Sequence, residues 1–539
     1  MAGNDAAPAS LLTRIRETVG ILSEVGMLSP RFLLATLQSR RRWGETVVTG
    51  FAASAARRPN DIGLIDDHGS LTFGELHNRS NAIAHGLAAA GVKPRHGVGI
   101  MCRNHRGFVE ATLGTMKAGA DALFLNTGFA GPQLGEVLDR EGSEVIIYDE
   151  EFSELVDKYG GKRARVLAWH DGSPGETTLD SLAKTHSFAD PAPTEKPGRA
   201  TILTSGTTGT PKGARRESQS SGPEALIGIL ELLPLRVGAT TMIAAPTFHA
   251  WGLAHLLLGS TLSSTLVMRR KFDPEGTLAA IAESRAHNLA VVPVMIQRIL
   301  ALDPSIIKKY DTSSLQVVAA SGSALPGDLA LRWMDTFGDN LHNFYGSTEV
   351  AQTSIAMPKD LRDAPGTAGR PPRGTIVKIF DKEGKEVPVG VTGRIFVRNK
   401  GQFEGYTGGG TKETIEGMMS IGDVGHFDEQ GRLYVEGRDD DMIISGGENV
   451  YPIEVENLLA DHPAIADIAV IGVADEEFGQ RLKAFAVRKP GAELTEDEAK
   501  DYVKTHLARY KVPRSVIFID EIPRNATGKI LKRVLKEWP

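Results

Sequence analysis

A single cysteine, Cys102, stands among 539 residues. One thiol can build neither a disulfide framework nor a cysteine-based metal site, and such usage fits a reducing compartment. Surplus positive charge is missing too: 61 Lys+Arg face 67 Asp+Glu, a formal net charge of −6. Nucleic-acid binders carry a basic footprint, so no nucleic-acid partner is expected. There is no G-x-S-x-G elbow, which removes the hydrolase reading, and no signal-peptide h-region opens the chain. Charged residues vanish altogether from 237–268, a run longer than the ~20 residues needed to span a bilayer. Pro246, His249, Gly252, His255 and Gly259 interrupt it, however, so a strand–loop–helix–strand through a buried core is expected there. What is present is ordinary for a globular protein: 41% hydrophobic and 24% charged residues, with length for about two to four domains.

Residues 11–43 mix apolar residues with Arg14, Arg16, Arg31, Arg40, Arg41 and Arg42. Surface helices packed on the body are the plainer expectation, and a basic amphipathic contact with a membrane surface is the other. From about residue 60, short apolar runs alternate with helical periodicity. Ile62–Asp66 and Gly97–Met101 read as strands, and Thr72-Phe-Gly-Glu75 as a capping box on a helix stopping at Gly91. Further apolar runs follow at 145–148, 200–203, 241–245, 264–268, 289–292 and 315–319. Strands alternating with helices imply parallel sheets covered on both faces. After about residue 374 the texture becomes antiparallel, with strands at 375–380 and 394–397 around turns. A charged run at 437–441 then leads into a compact α+β segment.

The expected fold is therefore α/β: a large N-terminal body of parallel α/β layers plus a β-rich subdomain, then a small mobile α+β C-terminal domain. The expected divisions are 1–44, 45–437 and 438–539.

The strongest chemical signal is Thr204-Ser-Gly-Thr-Thr-Gly-Thr-Pro-Lys-Gly213, directly after an apolar strand. Consecutive small residues leave backbone N–H groups unobstructed, hydroxyls add donors, and Lys212 adds charge, as wrapping a polyphosphate requires. It is not a Walker loop, because Lys212 follows Pro211 and precedes Gly213. His249 and His255, six apart, do not make the i,i+4 pair of a helical zinc site, so no transition metal is expected.

With this loop the chain resembles the adenylate-forming (AMP-binding) superfamily, in its acyl-CoA synthetase or fatty acid–CoA ligase branch. The family loop T-S-G-[ST]-T-G-x-P-K-G is complete here. In family order come Pro246-Thr-Phe-His-Ala-Trp-Gly252, Asn343-Phe-Tyr-Gly-Ser-Thr-Glu349, Gly422-Asp423, Gly437-Arg438 and Pro523-Arg-Asn-Ala-Thr-Gly-Lys529.

The resemblance implies ATP, Mg²⁺ and CoA. It places Thr204, Ser205, Gly206, Thr207, Thr208, Gly209, Lys212, Tyr345, Thr348, Asp423, Arg438 and Lys529 around the nucleotide. Lys529, Lys212, Glu349 and Thr348 carry the chemistry, with Glu349 holding the metal. It puts His249, Trp251, Ala320, Ser321 and Gly322 at the acyl pocket, Ser445, Gly446 and Gly447 on a CoA tunnel, and a hinge at Asp440.

Three departures stand out: Ile421 before Gly422-Asp423, glycines at 408–410 in place of a Trp-containing turn, and a basic Ala214-Arg-Arg216. His249 offers no permanent negative charge to pair with an ammonium, and its neighbours are apolar, so an alkyl acid is expected rather than an α-amino acid. The resulting expectation is a cytoplasmic or peripheral ATP-dependent acyl-CoA synthetase acting on a medium- or long-chain fatty acid. The alternatives are an aryl-CoA ligase, an acyl-adenylate ligase loading a carrier protein and, more distantly, a non-catalytic lipid-binding component.

Overall fold

The structure is a computed structural model. It describes residues 11–538 apart from 130, 173–174, 176, 196, 205–211, 216–221, 408, 442, 446–447, 476–478 and 526–527. Two largely parallel sheets form the body. The eight-stranded sheet runs Ala351–Ala356, Leu341–Ser347, Val317–Ala320, Asn288–Val291, Thr241–Ile243, Leu266–Met268, Ile62–Asp66, Gly69–Thr72. Its inner pairings are parallel and only its two edge hairpins are antiparallel. The strands Asn288–Val291 and Val317–Ala320 are buried at every position. That matches their Val/Ala/Leu composition, since helices cover both faces of a parallel sheet.

The charge-free run resolves as the sequence predicts. It forms the strand Thr241–Ile243, the helix Ala250–Thr261 and the strand Leu266–Met268. It lacks charge because it runs through the core. Among the described residues, no single helix is long and apolar enough to cross a membrane.

A second sheet contains the parallel strands Gly97–Met101, Asp121–Phe124, Ser143–Asp149, Ala164–Trp169 and Ala200–Thr204. The capping box forms: the Thr72 hydroxyl accepts from Glu75 N–H at 3.1 Å and Glu75 accepts from Thr72 N–H at 2.8 Å. The helix Phe73–Ala89 ends just before Gly91, whose φ of +94° suits glycine.

A third, antiparallel sheet holds Ile376–Phe380, Gly393–Arg398, Met418–Phe427 and Leu433–Arg438. The C-terminal sheet pairs Ile465–Asp475 with Gly479–Arg488 and adds Ser515–Phe518 in parallel. The helices Pro452–Ala460 and Glu496–His506 bury Val455, Leu459 and Val503 in the core of that sheet.

Three helices open the described chain: α1 (Leu11–Val25), α2 (Pro30–Trp43) and α3 (Val47–Arg57). Ser29 caps α2 by accepting from Phe32 N–H at 3.2 Å, and Pro30 occupies its first turn. The inner face of α2 buries Phe32, Ala35, Ser39 and Trp43 against the body, as the packed-helix expectation requires.

Candidate active site

Parallel strands gather loops at their carboxyl ends, and open α/β sheets bind ligands there. Three such loops belong to one sheet: residues 246–249 after Thr241–Ile243, residues 321–323 after Val317–Ala320, and the turn closing Leu341–Ser347. They line a cleft of about 2400 Å³. The β-rich sheet and the C-terminal segment supply the facing walls, through Asp423, Arg438, Gly528 and Lys529 among others.

One end of the cleft is polar. Asp423 and Arg438 lie opposite each other on paired antiparallel strands, and Arg438 Nη1 donates to Asp423 Oδ1 at 3.2 Å. The Tyr345 hydroxyl donates to the other oxygen of Asp423. Burial first, and then the Asp423 charge, push the Tyr345 phenol up, so it remains a donor. A flat ring thus stands beside a carboxylate held by an arginine, an arrangement able to take a purine and a ribose diol.

A second cluster forms where the chain closes on itself twice. Lys212 begins the strand Lys212–Arg215, which folds back antiparallel on Ala200–Thr204 and also pairs with Gly405–Tyr406. Thr204 and Lys212 are direct partners in that pairing. Tyr406 Oη donates to Glu349 Oε1 at 2.8 Å, while Lys212 Nζ stands 5.6 Å from the Tyr406 ring centroid. Lys212, Glu349 and Thr348 all line the cleft. A carboxylate and a cation across one aromatic ring suit a divalent metal beside polyphosphate, since Mg²⁺ takes hard oxygen donors such as Glu349. Tyr406 escaped the sequence reading. Its signal was the Gly-Tyr pair at 405–406, just before the glycines noted above.

Lys529 reaches the cleft from a hairpin of the C-terminal segment. Asn525 N–H donates to Lys529 O at 2.9 Å, Lys529 N–H donates to Asn525 Oδ1 at 2.9 Å, and Leu531 N–H donates to Pro523 O at 2.8 Å. Arg524 anchors the base on Asp467 at 2.7 Å. Lys529 lines the cleft and keeps over a third of its surface exposed, yet protein crowds it closely. That crowding, together with Arg438, holds its pKa below the ordinary 10.5, while Asp423 and Glu349 pull the other way.

The other end is apolar. His249 stands at the N-cap position of the helix Ala250–Thr261, without a side-chain capping bond. Burial, and next the Lys529 charge, lower its pKa to about 4, so it is neutral at pH 7. Trp251 forms a wall, fixed by its indole N–H on Val291 O at 2.9 Å and packed on Phe344 at 5.0 Å between centroids. Ser321 and Gly322 line the cleft, and Gly322 needs its φ of +97°. Ala320 does not join them: it is the last residue of a fully buried strand, and its methyl packs into the core cluster instead. His255 likewise belongs to the core, edge-on to Trp251 at 4.5 Å. Beyond Trp251 the cleft continues along Ala254, Leu257 and Leu258 to Thr49 and Ala53 of α3 and Phe32 and Thr36 of α2.

Ser205, Gly206, Thr207, Thr208, Gly209, Gly446 and Gly447 lie outside the described residues. Ser445 ends the short strand Ile443–Ser445, paired with Glu448 and Gly479. Asp440 sits in the single turn Asp439–Asp441. Its neighbours are tied in opposite directions: Asp439 to Arg394 of the β-rich sheet at 3.1 Å, and Asp441 to Lys532 of the C-terminal helix at 2.9 Å.

The lone cysteine meets His105 and Asp149, with candidate ligand atoms within 4.8 Å of one another. Both ring nitrogens of His105 are in use, however. Nε2 bonds Asp149 at 2.8 Å and Nδ1 accepts from Gly107 N–H at 3.0 Å. The three residues share a buried hydrogen-bond network.

A family model described as AMP-binding enzyme matches residues 51–407, and one described as AMP-binding enzyme C-terminal domain matches residues 454–529. A feruloyl-CoA synthase of Amycolatopsis sp is 35% identical over 474 residues, covering 86% of this chain and 93% of that protein. The fatty acid–[acyl-carrier-protein] ligase ScoC of Streptomyces coeruleorubidus is 30% identical over 511 residues, covering 92% of this chain and 96% of ScoC. Among solved structures, ATP-bound MatB from Rhodopseudomonas palustris superposes with a TM-score of 0.81 at 26% identity, covering 91% of this chain and 98% of that one.

Proposed function

The chain belongs to the AMP-binding enzyme family, and from that premise we propose that it activates a medium- or long-chain fatty acid as its adenylate and passes the acyl group to CoA. It is an AMP-forming acid–thiol ligase. In this reading the acid's carboxylate attacks the α-phosphorus of ATP, the bond to the bridging oxygen breaks, and pyrophosphate leaves. The CoA thiolate then attacks the acyl carbon and AMP departs.

Two anions must meet in the first step, so positive charge has to stand ready where negative charge accumulates. Lys529 would serve the carboxylate and α-phosphate, and Lys212 the departing pyrophosphate. Glu349 would hold Mg²⁺, which neutralises phosphate charge when bound. Asp423 and Tyr345 would seat the nucleoside, with Arg438 holding Asp423 in place.

The observation carrying the alkyl reading is that the cleft's lining runs past Trp251 along Ala254, Leu257 and Leu258 to residues of α3 and α2. An alkyl chain can fill such an extension lengthwise, whereas a single aromatic ring would leave most of it to water. Neutral His249 at the head of the pocket adds no partner for an ammonium. The feruloyl-CoA synthase relative supports an aryl acid as the second reading, and Trp251 with Phe344 supplies a face on which a ring could stack.

The test is a panel of alkyl and aryl acids, each with ATP, Mg²⁺ and either CoA or an acyl-carrier protein. The expected products are AMP, pyrophosphate and acyl-CoA, with long alkyl acids giving the highest kcat/KM. Preference for aryl acids would replace the substrate assignment, preference for the carrier would replace the acceptor, and ADP as product would sink the adenylation reading altogether.

A further inference from the structure

A helix on the surface of a globular protein ordinarily shows one apolar face, turned inward. α2 shows two. Phe32, Ala35, Ser39 and Trp43 recur at helical spacing on the buried face. Leu33, Leu34 and Leu37 fall on the opposite side and lie open to solvent, Leu34 with 57% of its surface exposed. α1 adds an exposed stripe of its own, Leu12, Ile15 and Val19, at the i, i+3, i+7 spacing of one face. Single exposed leucines are unremarkable on any protein; two helices each carrying an open apolar stripe call for a partner.

α2 is not a loose tail. The Arg57 guanidinium of α3 stands 4.0 Å from the Phe32 ring centroid, and Trp43 is buried beneath its last turn. The body therefore presents the outer leucines as a fixed surface. Charge around them runs against the rest of the molecule. Residues 11–45 hold six Arg and three Glu, in a chain whose formal net charge is −6. Arg41 lies on the leucine side of α2, one turn beyond Leu37 and two beyond Leu33, and is exposed; Arg40 beside it is exposed too but pairs with Glu45. An apolar stripe bordered by arginines is complementary to an anionic bilayer surface, with side chains in the acyl boundary and guanidinium groups at the phosphates. Neither helix is long and apolar enough to cross, and from Ile15 onward the pair is bent by 98°, which suits helices lying in the interface.

We propose that α1 and α2 form a docking surface for anionic lipid bilayers. The neighbouring flank of α2, through Phe32 and Thr36, lines the far end of the cleft, so docking sets the cleft's apolar end beside the lipid. The docking proposal stands on the helices alone and does not depend on which acid the enzyme activates.

The test is flotation of the full-length protein with vesicles of phosphatidylcholine containing about one-quarter phosphatidylglycerol, against vesicles of phosphatidylcholine alone. The protein is expected to float with the anionic vesicles, to be released by salt, and to bind the neutral ones weakly. Leu33→Asp with Leu37→Asp should lower the partition coefficient by about a hundredfold, and Arg41→Glu by about tenfold. Both variants should activate a short water-soluble acid at the parent rate, because neither alters a cleft residue. Failure of the parent to float, or flotation of the leucine variant like the parent, would overturn the proposal. So would a dimer in sedimentation velocity that the leucine substitutions dissociate, since the stripe would then belong to a second copy of the chain.

Discussion

Lys529 must be positively charged to help two anions meet, yet its surroundings weaken its hold on the proton. Surrounding protein and Arg438 lower its pKa, and only Asp423 and Glu349 oppose them. The sign of the consequence follows from which form is useful. The protonated lysine is present below the lowered pKa and is lost as pH rises through it, so adenylation in the free enzyme should have an alkaline limb below 10.5. Lys529→Arg should abolish that limb, because a guanidinium stays protonated there, at some loss of rate from altered reach. Lys529→Ala should cut the rate by about 10²–10³, or ~2.7–4 kcal/mol, the loss typical of one transition-state donor. The pH profile of kcat/KM, measured by pyrophosphate exchange, checks both points. An alkaline limb that survives in the arginine variant would assign it to another group.

Elements deliver these side chains with little slack. Gly528 holds a φ of +81°, and a Cβ there would meet Val294 Cγ1 at 2.8 Å, across the cleft from the hairpin. Gly528→Ala should therefore push the Lys529 hairpin away from the helix Pro293–Leu300 and slow adenylation about tenfold or more, while costing roughly 1 kcal/mol in backbone conformation. Adding Val294→Ala should restore part of the rate, since it removes the clash but not the strained φ. If the double variant is no faster than the single one, steric displacement is the wrong account. On the other side of the cleft, Ala254→Phe should fill the extension and shift the preferred acid toward shorter chains, with short-acid turnover within about threefold of the parent. An unchanged chain-length profile would show that acyl chains do not run along this helix.

The sequence carried the elements well because their periodicity is a direct consequence of burial. The parallel strands, the Thr72–Glu75 capping box and the charge-free core helix each have a local pattern that burial or capping demands. The misses were of another kind. Ala320 ends a strand buried at every position, and only the position of the neighbouring layers decides which of its last residues meets the cleft. Tyr406 sits on a strand of two residues, too short for any period. Its value comes from meeting Glu349 and Lys212, 57 and 194 residues away in sequence, and no local pattern encodes such a meeting.

For the molecule as a whole, the cleft is closed by two bodies, and among the described residues the contacts across it include two polar ones beside the approach of Gly528 to Val294. Gln297 Nε2 donates to Ala466 O at 2.6 Å, and the exposed Arg298–Glu521 pair lies at 3.7 Å. An exposed pair of that kind is worth ~0–1 kcal/mol and one hydrogen bond about as much, so neither polar contact holds Lys529 in the cleft strongly. The turn at Asp439–Asp441 is tied differently, with Asp439 fastened to the β-rich sheet and Asp441 to the C-terminal helix. A rotation about Asp440 would preserve both ties while breaking the Gln297 and Arg298 contacts across the cleft. The proposed mechanism needs that freedom, because the lysine that serves adenylation must withdraw before a thiol can approach. Lys529→Ala should then slow adenylate formation and leave thioester formation from supplied acyl-adenylate near normal. Gly447→Leu, at the position that the family resemblance assigns to the CoA tunnel, should do the reverse. Pyrophosphate exchange and CoA-dependent consumption of synthetic adenylate read the two half-reactions separately. Equal slowing of both by both substitutions would leave one fixed site as the better account, because only a site that changes faces can lose one half-reaction and keep the other.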